Sequence, residues 1–343
     1  MWYRYLWIEY IYELNIYWLI GTTDKYYTLN KTKIEFKKGN IMKKISWITH
    51  PQYDIILPEN HKFTATKFSD LFNELKSKEF YSNANILQPE KAEVEDLEIV
   101  HDKDYILKIK NGTLSEKEIR RLGFIWSETL SNRSFLAVNG TLLTCKEALN
   151  NGVANHLAGG THHAHKSFGS GYCVFNDIAY SSKTLIKKKI VNKILIIDLD
   201  VHQGDGTAEI LKNDTNIFTC SVHCKNNFPF RKTKSDLDVE LDDNLNDLEY
   251  LNILKDTLDK CLNIIKPDII IYDAGVDVHK DDNLGNLNIT SNGLLERDRY
   301  VLSFFKKKSI PISTVIGGGY SNNNLELAKR HSVIFQATHE IFN

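Results

Sequence analysis

Ile194-Leu195-Ile196-Ile197-Asp198-Leu199-Asp200-Val201-His202-Gln203-Gly204-Asp205-Gly206 is the stretch that decides how this chain folds. Its first four residues form an apolar run of the length and β-branched content of a buried strand. Side chains alternate faces along a strand, so Asp198, Asp200 and His202 are expected to point the same way. Three ionisable groups at the mouth of a buried strand are costly unless something pairs with them. A divalent metal is the natural partner, because carboxylate oxygen and imidazole nitrogen both suit zinc.

Three further segments repeat the pattern. Gly159-Gly160-Thr161-His162-His163-Ala164 follows the short apolar segment 153–158 and places two imidazoles beside a glycine pair. Ile269-Ile270-Ile271-Tyr272-Asp273-Ala274-Gly275-Val276-Asp277 runs an apolar strand into carboxylates. Gly317-Gly318-Gly319-Tyr320 follows the strand 311–316 and ends on a phenol. In an open α/β sheet, ligands bind beyond the carboxyl ends of the strands. Four strand ends carrying His, Asp and Tyr therefore point to one catalytic site.

The rest of the chain alternates apolar strands with helical stretches. This predicts a single α/β domain with a mainly parallel sheet and helices on both faces. Strands are expected at 45–49, 153–158, 194–200, 217–222, 269–273 and 312–316. Helices are expected at 116–130, 142–150, 175–188, 246–265, 293–307 and 325–329. The acidic segment 236–247 reads as a solvated loop leading into a helix. The chain has 343 residues, enough for one large α/β domain. A hydrophobic content of 42% and a charged content of 25% describe an ordinary globule. A net charge of −1 gives no electrostatic reason to expect nucleic acid or a membrane as partner. Five cysteines without a Cys-x-x-Cys pair read as packed thiols of a reducing, cytoplasmic compartment.

The motifs, taken in order, resemble the zinc-dependent histone deacetylase family of the arginase–deacetylase superfamily. The class IV (histone deacetylase 11-like) branch and its bacterial relatives match best. The matching segments begin with His50-Pro51-Gln52-Tyr53 and Leu57-Pro58. They continue through the Gly159 to Ala164 segment, Gly171-Tyr172-Cys173-Val174-Phe175-Asn176-Asp177 and the Asp198 to Gly206 motif. His223, Asn227-Phe228-Pro229-Phe230-Arg231, Ala274 to Asp277 and Gly317 to Tyr320 complete the set. The resemblance covers residues 43–343 and implies the arginase–deacetylase fold.

Carried over position by position, it implies that Asp200, His202 and Asp277 hold one zinc ion. It makes His162 and His163 an acid–base pair, with His163 as base and then acid. Asp198 and Asp205 would orient them, and Tyr320 would donate to the oxyanion. A structural potassium ion is implied at Asp198, the carbonyls of Asp200 and His202, Ser221 and the carbonyl of Val222. The substrate tunnel would be lined by Gly171, Tyr172 and Phe228. The expected reaction is hydrolysis of the amide of an acyl-lysine. A small-molecule amidohydrolase acting on acetylpolyamine-like amines shares the same chemistry. A non-catalytic acyl-lysine-binding scaffold would have lost Tyr320 or the histidine pair, and both are present. Relatives of this fold that bind two manganese ions carry an aspartate where this chain has Gly204. Acyl length, protein versus metabolite substrate and oligomeric state are not encoded in these motifs.

Residues 1–41 lie outside the resemblance. The first twenty contain eight Trp or Tyr, and Arg4, Glu9 and Glu13 interrupt any apolar span. A basic n-region and a small-residue cleavage site are both missing, so no secretory signal is expected. Met42 falls where similar proteins begin, and Lys37-Lys38-Gly39-Asn40 fits a translated purine-rich ribosome-binding site. The expectation is a catalytic domain over 42–343 preceded by a mis-annotated extension.

Overall fold

The apolar runs 194–197 and 269–272 lie side by side in one parallel sheet. A computed structural model describes residues 44–343 except Asn60. The extension expected at 1–41 and the start expected at Met42 lie outside the described residues. In chain order the elements begin with β1 (Ile45–Ile48), α1 (Lys67–Lys76), β2 (Ala84–Leu87), α2 (Val94–Leu97), α3 (Lys103–Asn111) and α4 (Glu116–Leu122). Next come α5 (Glu128–Asn151), β3 (Val153–His156), α6 (Asp177–Lys187), β4 (Ile194–Asp198), α7 (Asp205–Leu211) and β5 (Ile217–Cys224). The chain continues through β6 (Leu237–Leu241), α8 (Asp247–Ile264), β7 (Ile269–Asp273), α9 (Ser291–Lys306), β8 (Ile312–Val315) and α10 (Asn324–Phe342).

The eight strands among the described residues form one sheet in the order β2-β1-β3-β8-β7-β4-β5-β6. Every neighbouring pair is parallel. Strands β4, β7 and β8 are buried at every position, so both faces of the sheet are covered. Helix α5 packs on β1, β3 and β8 and against α6, while α10 packs on α1 and α9. No helix among the described residues is long and apolar enough to cross a membrane.

Several expected boundaries are corrected. The helix expected at 116–130 is two helices. Gly123, at φ 83°, closes α4 in the left-handed region, and Ser127 starts α5 by capping Leu130 N–H. The helix expected at 142–150 is the last part of α5, and that expected at 325–329 is the start of α10. The expected loop 236–247 contains β6, whose Leu237, Asp238, Val239, Glu240 and Leu241 pair with β5. Charged residues suit an edge strand with one solvated side. Strand β2 is the other edge, and its half-buried residues carry no strong periodic signal. Strand β4 ends at Asp198, short of the expected Asp200.

One buried network fixes the loop after β7. Arg297 on α9 is fully buried. Its Nη1 and Nη2 donate to the carbonyls of Gly275 and Ala274 at 2.6 and 3.2 Å. Its Nε donates to Asp298 Oδ1 at 2.9 Å, and Tyr272 Oη donates to the same oxygen at 2.6 Å. Removing one partner of a buried ion pair typically costs about 3–5 kcal/mol. Arg297→Met is therefore expected to lower the free energy of unfolding by that amount, read from denaturant melts. A loss below about 1 kcal/mol, the range of exposed pairs, would show that the pair does not hold the loop.

Candidate active site

The expectation that Asp198, Asp200 and His202 alternate along one strand is corrected. The chain turns after Asp198, and Asp200 N–H donates back to Asp198 Oδ1 at 3.1 Å. Leu199 N–H bonds the Asp273 carbonyl at 3.1 Å. This turn sends the carboxylates to two different neighbours. Asp198 Oδ2 lies 2.8 Å from His162 Nδ1. Asp200 Oδ1 lies 3.0 Å from His202 Nδ1, and Asp277 Oδ2 lies 3.1 Å from the same nitrogen.

Backbone donors aim these groups. Val201 N–H holds Asp277 Oδ1 at 2.9 Å, and Gly318 N–H holds Asp200 Oδ2 at 2.7 Å. Gly318 could be nothing larger, because a Cβ there would lie 2.0 Å from Asp277 Oδ2. One donor atom from each of Asp200, His202 and Asp277 lies within 4.8 Å of the others, and all three residues are buried. Burial lowers the basicity of His202, but its hydrogen bonds to Asp200 and Asp277 and the charges of those carboxylates push it up to about 10. Burial and then the Asp200 charge push the Asp277 carboxyl up to about 7. The site thus favours positive charge at the point where the three side chains meet. Two carboxylates and one imidazole fit a zinc ion with an open position.

The two candidate acid–base histidines sit on the loop after β3, with ring centroids 4.1 Å apart. Asp177 anchors this loop, accepting from Thr161 N–H at 2.7 Å and Gly160 N–H at 3.1 Å. Asn176 Nδ2 donates to the carbonyls of His162 and Ala164 at 3.3 and 3.1 Å. Burial opposes charge on His162, but Asp198 and Asp200 outweigh it and hold that imidazole well above the ordinary value. His163 is pushed down to about 4 by burial and by the His162 charge, although Asp205 Oδ1 sits 2.7 Å from its Nδ1. Adjacent groups pushed apart in this way divide acid and base roles.

Tyr320 is buried beside them, and its ring centroid lies 6.4 Å from that of His202. Burial, then the charges of Asp200 and Asp277, keep its phenol protonated and able to donate. Gly171 and Tyr172 line the same pocket, and the Phe228 ring stands edge-on to His163 at 4.8 Å. Ser221 is the register partner of Asp198 on β5, beside Val222, which brings together side chains expected to hold the monovalent cation. Ser221 Oγ also lies 2.9 Å from His223 Nδ1.

The structure adds residues that the sequence reading missed. Lys67 and Arg133 are buried in the pocket wall and belong to none of the motifs. Lys67 Nζ donates to the Gly317 carbonyl at 2.9 Å, and Arg133 Nε donates to the Tyr53 carbonyl at 3.0 Å. Nothing but tertiary packing marks them, since one cation in an amphipathic helix is commonplace. Asp273, whose register partner is Asp198, is fully buried with both carboxyl oxygens lacking a hydrogen-bond partner. Burial and the Asp198 charge hold it well above the ordinary carboxylate range.

The chain is similar to known proteins in sequence and fold. Residues 61–334 match the histone deacetylase domain family. The chain belongs to that family of hydrolases. It is 43% identical over 295 residues to an uncharacterized protein of Picosynechococcus sp., covering 86% of this chain and 98% of that protein. It is 28% identical to histone deacetylase 2 of Arabidopsis thaliana, covering 82% and 76% of the two chains. The acetoin utilization protein AcuC of Staphylococcus aureus is 32% identical, with 73% and 72% covered. Among solved structures, a histone deacetylase homologue complexed with SAHA superposes with a TM-score of 0.71 at 23% identity, covering 86% and 84%. The eight-stranded sheet is thus the arginase–deacetylase fold.

His101 ties this loop down from behind. Its Nε2 accepts from Asn176 N–H at 2.9 Å, so Nδ1 carries the proton and donates to the His165 carbonyl at 3.0 Å. Burial holds His101 down to about 4 from its ordinary 6.5. The unfolded chain therefore binds the extra proton first, and stability falls as pH drops from about 6.5 to about 4. The loss from this residue approaches about 3 kcal/mol at the low end. Urea midpoints at neutral and acid pH should differ less in His101→Gln than in the parent; an equal difference would refute the assignment.

Proposed function

We propose that the protein is a zinc-dependent hydrolase that cleaves the amide of an acyl-lysine. The observation that carries this reading is the pair of oppositely tuned histidines set against Asp200, His202 and Tyr320 in one pocket, with Asp277 Oδ2 3.1 Å from His202 Nδ1. Asp200, His202 and Asp277 would hold the zinc. Zinc bound there supplies a Lewis acid for the amide carbonyl and lowers the pKa of water toward neutrality.

The chain's own groups do the rest. His163 is neutral near pH 7, with Nδ1 tied to Asp205, so its Nε2 is free to take a proton from the attacking water. The same nitrogen returns that proton to the departing amine. His162, paired with Asp198, keeps positive charge beside the developing negative charge. Tyr320 donates its hydroxyl hydrogen to the carbonyl oxygen as that oxygen gains charge. Gly171, Tyr172 and Phe228 would guide the alkyl arm of the substrate. Asp198, Ser221 and the carbonyls of Asp200, His202 and Val222 would hold potassium. The class IV placement belongs to the same proposal and is supported by the ordered motifs from His50 to Tyr320.

The test is turnover by the zinc-loaded protein on matched acetyl-lysine, long-acyl-lysine and acetylated polyamine substrates. Tyr320→Phe is expected to lower kcat about 100- to 1,000-fold. A preference for the polyamine would move the reading to a small-molecule amidohydrolase. Stoichiometric zinc with no turnover on any of the three would refute the proposal in favour of a binding scaffold. Zinc content measured by elemental analysis is expected to be lost in Asp277→Ala; retention would show that Asp277 is not a ligand.

A further inference from the structure

The sequence His162-His163-Ala164-His165 carries a third histidine to which the reaction above gives no task. His165 Nε2 lies 3.0 Å from Asp205 Oδ2, while His163 Nδ1 lies 2.7 Å from Asp205 Oδ1. One carboxylate is thus held between two imidazoles. It has no other hydrogen-bond donor among the described residues. Burial by itself would raise the Asp205 carboxyl, yet the bonds from His163 and then His165 hold it well below the ordinary range.

The surroundings keep His165 in place. Its backbone N–H donates to the Phe168 carbonyl at 2.9 Å, and its ring stacks on the Phe168 ring at 4.5 Å with an interplanar angle of 21°. The Arg121 guanidinium lies over that same Phe168 ring, 4.2 Å from its centroid. The His165 carbonyl is held by His101 Nδ1. The other charged groups nearby are Lys166, paired with Asp102 at 3.2 Å, and Lys232, whose charge reaches Asp205 at longer range. The His165 side chain is 16% exposed, so the line His163–Asp205–His165 runs from the buried site to the protein edge.

We propose that His165 is a positioning residue, which clamps the second oxygen of Asp205 and thereby holds His163 as the Nδ1–H tautomer with Nε2 free. The inference rests on the hydrolase reading above for its purpose, though its geometry does not. A carboxylate gripped at one oxygen can rotate about its own axis. Gripped at both, it presents Oδ1 to His163 in one orientation. The hydrogen bond at one ring nitrogen decides which nitrogen carries the proton. Partners one layer behind a reacting group are commonly worth about 10- to 100-fold in activity.

The experiment compares the parent with H165F and H165Q. Phenylalanine keeps an aromatic ring on Phe168 and removes the donor, and glutamine restores a neutral donor. Two readouts are taken on zinc-loaded protein: kcat and KM on an acyl-lysine peptide, and the imidazole ¹⁵N shifts of His163. H165F is expected to lower kcat about tenfold with KM unchanged. The His163 shifts should move from a single tautomer toward a mixture, and H165Q should recover most of both. A His163 tautomer that stays fixed in H165F would overturn the proposal. So would a rise in KM with kcat intact. Should H165F fail to fold, H165L carries the same readouts. If the parent turns over no acyl-lysine, the hydrolase reading falls, while the ¹⁵N shifts still decide the role of His165.

Discussion

Four aspartates, Asp198, Asp200, Asp273 and Asp277, are buried within one small volume at the ends of β4 and β7, and the rest of the site answers to that crowding. Buried like charges repel strongly and cannot all ionise without compensation. The protein settles each differently. Asp198 faces an imidazole, Asp200 and Asp277 share another, and burial with the Asp198 charge pushes the Asp273 carboxyl well above its ordinary range. Backbone N–H groups of Val201 and Gly318 take further oxygens, and His202 N–H adds a second bond to Asp200 Oδ1. A parallel sheet suits this, because its strand ends deliver several loops, each with free N–H groups, to one edge.

Around that centre a second layer keeps the loops from relaxing. Arg297 grips the carbonyls of Ala274 and Gly275 below Asp277, and Asp177 with Asn176 grips the histidine loop. His101 bonds Asn176 in turn and shares the His165 segment. None of these groups meets the substrate pocket through its own chemistry. They make small displacements of the inner carboxylates expensive, which preorganised electrostatic catalysis requires.

Much of this was legible in the chain. The runs 194–197 and 269–271 are continuous apolar segments, and buried parallel strands have that signature, while 312–316 has Ser313 and Thr314 between apolar ends. Their ends carry the His, Asp and Tyr residues that the fold assembles. The edges were harder. Leu237 to Leu241 alternates with acids and looked like solvent-facing loop, because an edge strand needs only one apolar side. Helix α4 and helix α5 looked continuous because Gly123 interrupts a helical pattern by backbone conformation rather than by polarity.

The amino-acid order by itself determined the strand centres, the residue types at their ends and the family those motifs belong to. These are local properties, set by periodicity and by which side chains follow each apolar run. Tertiary structure alone decided which side chains meet. Asp198 turns to His162 while Asp200 turns to His202, because a backbone turn intervenes where strand alternation would have aimed them together. Lys67, Arg133, Asp273 and His165 acquire their places only through packing between segments distant in the chain. A single ionisable residue means little in sequence; its burial and its partners, and hence its protonation, come from the whole fold.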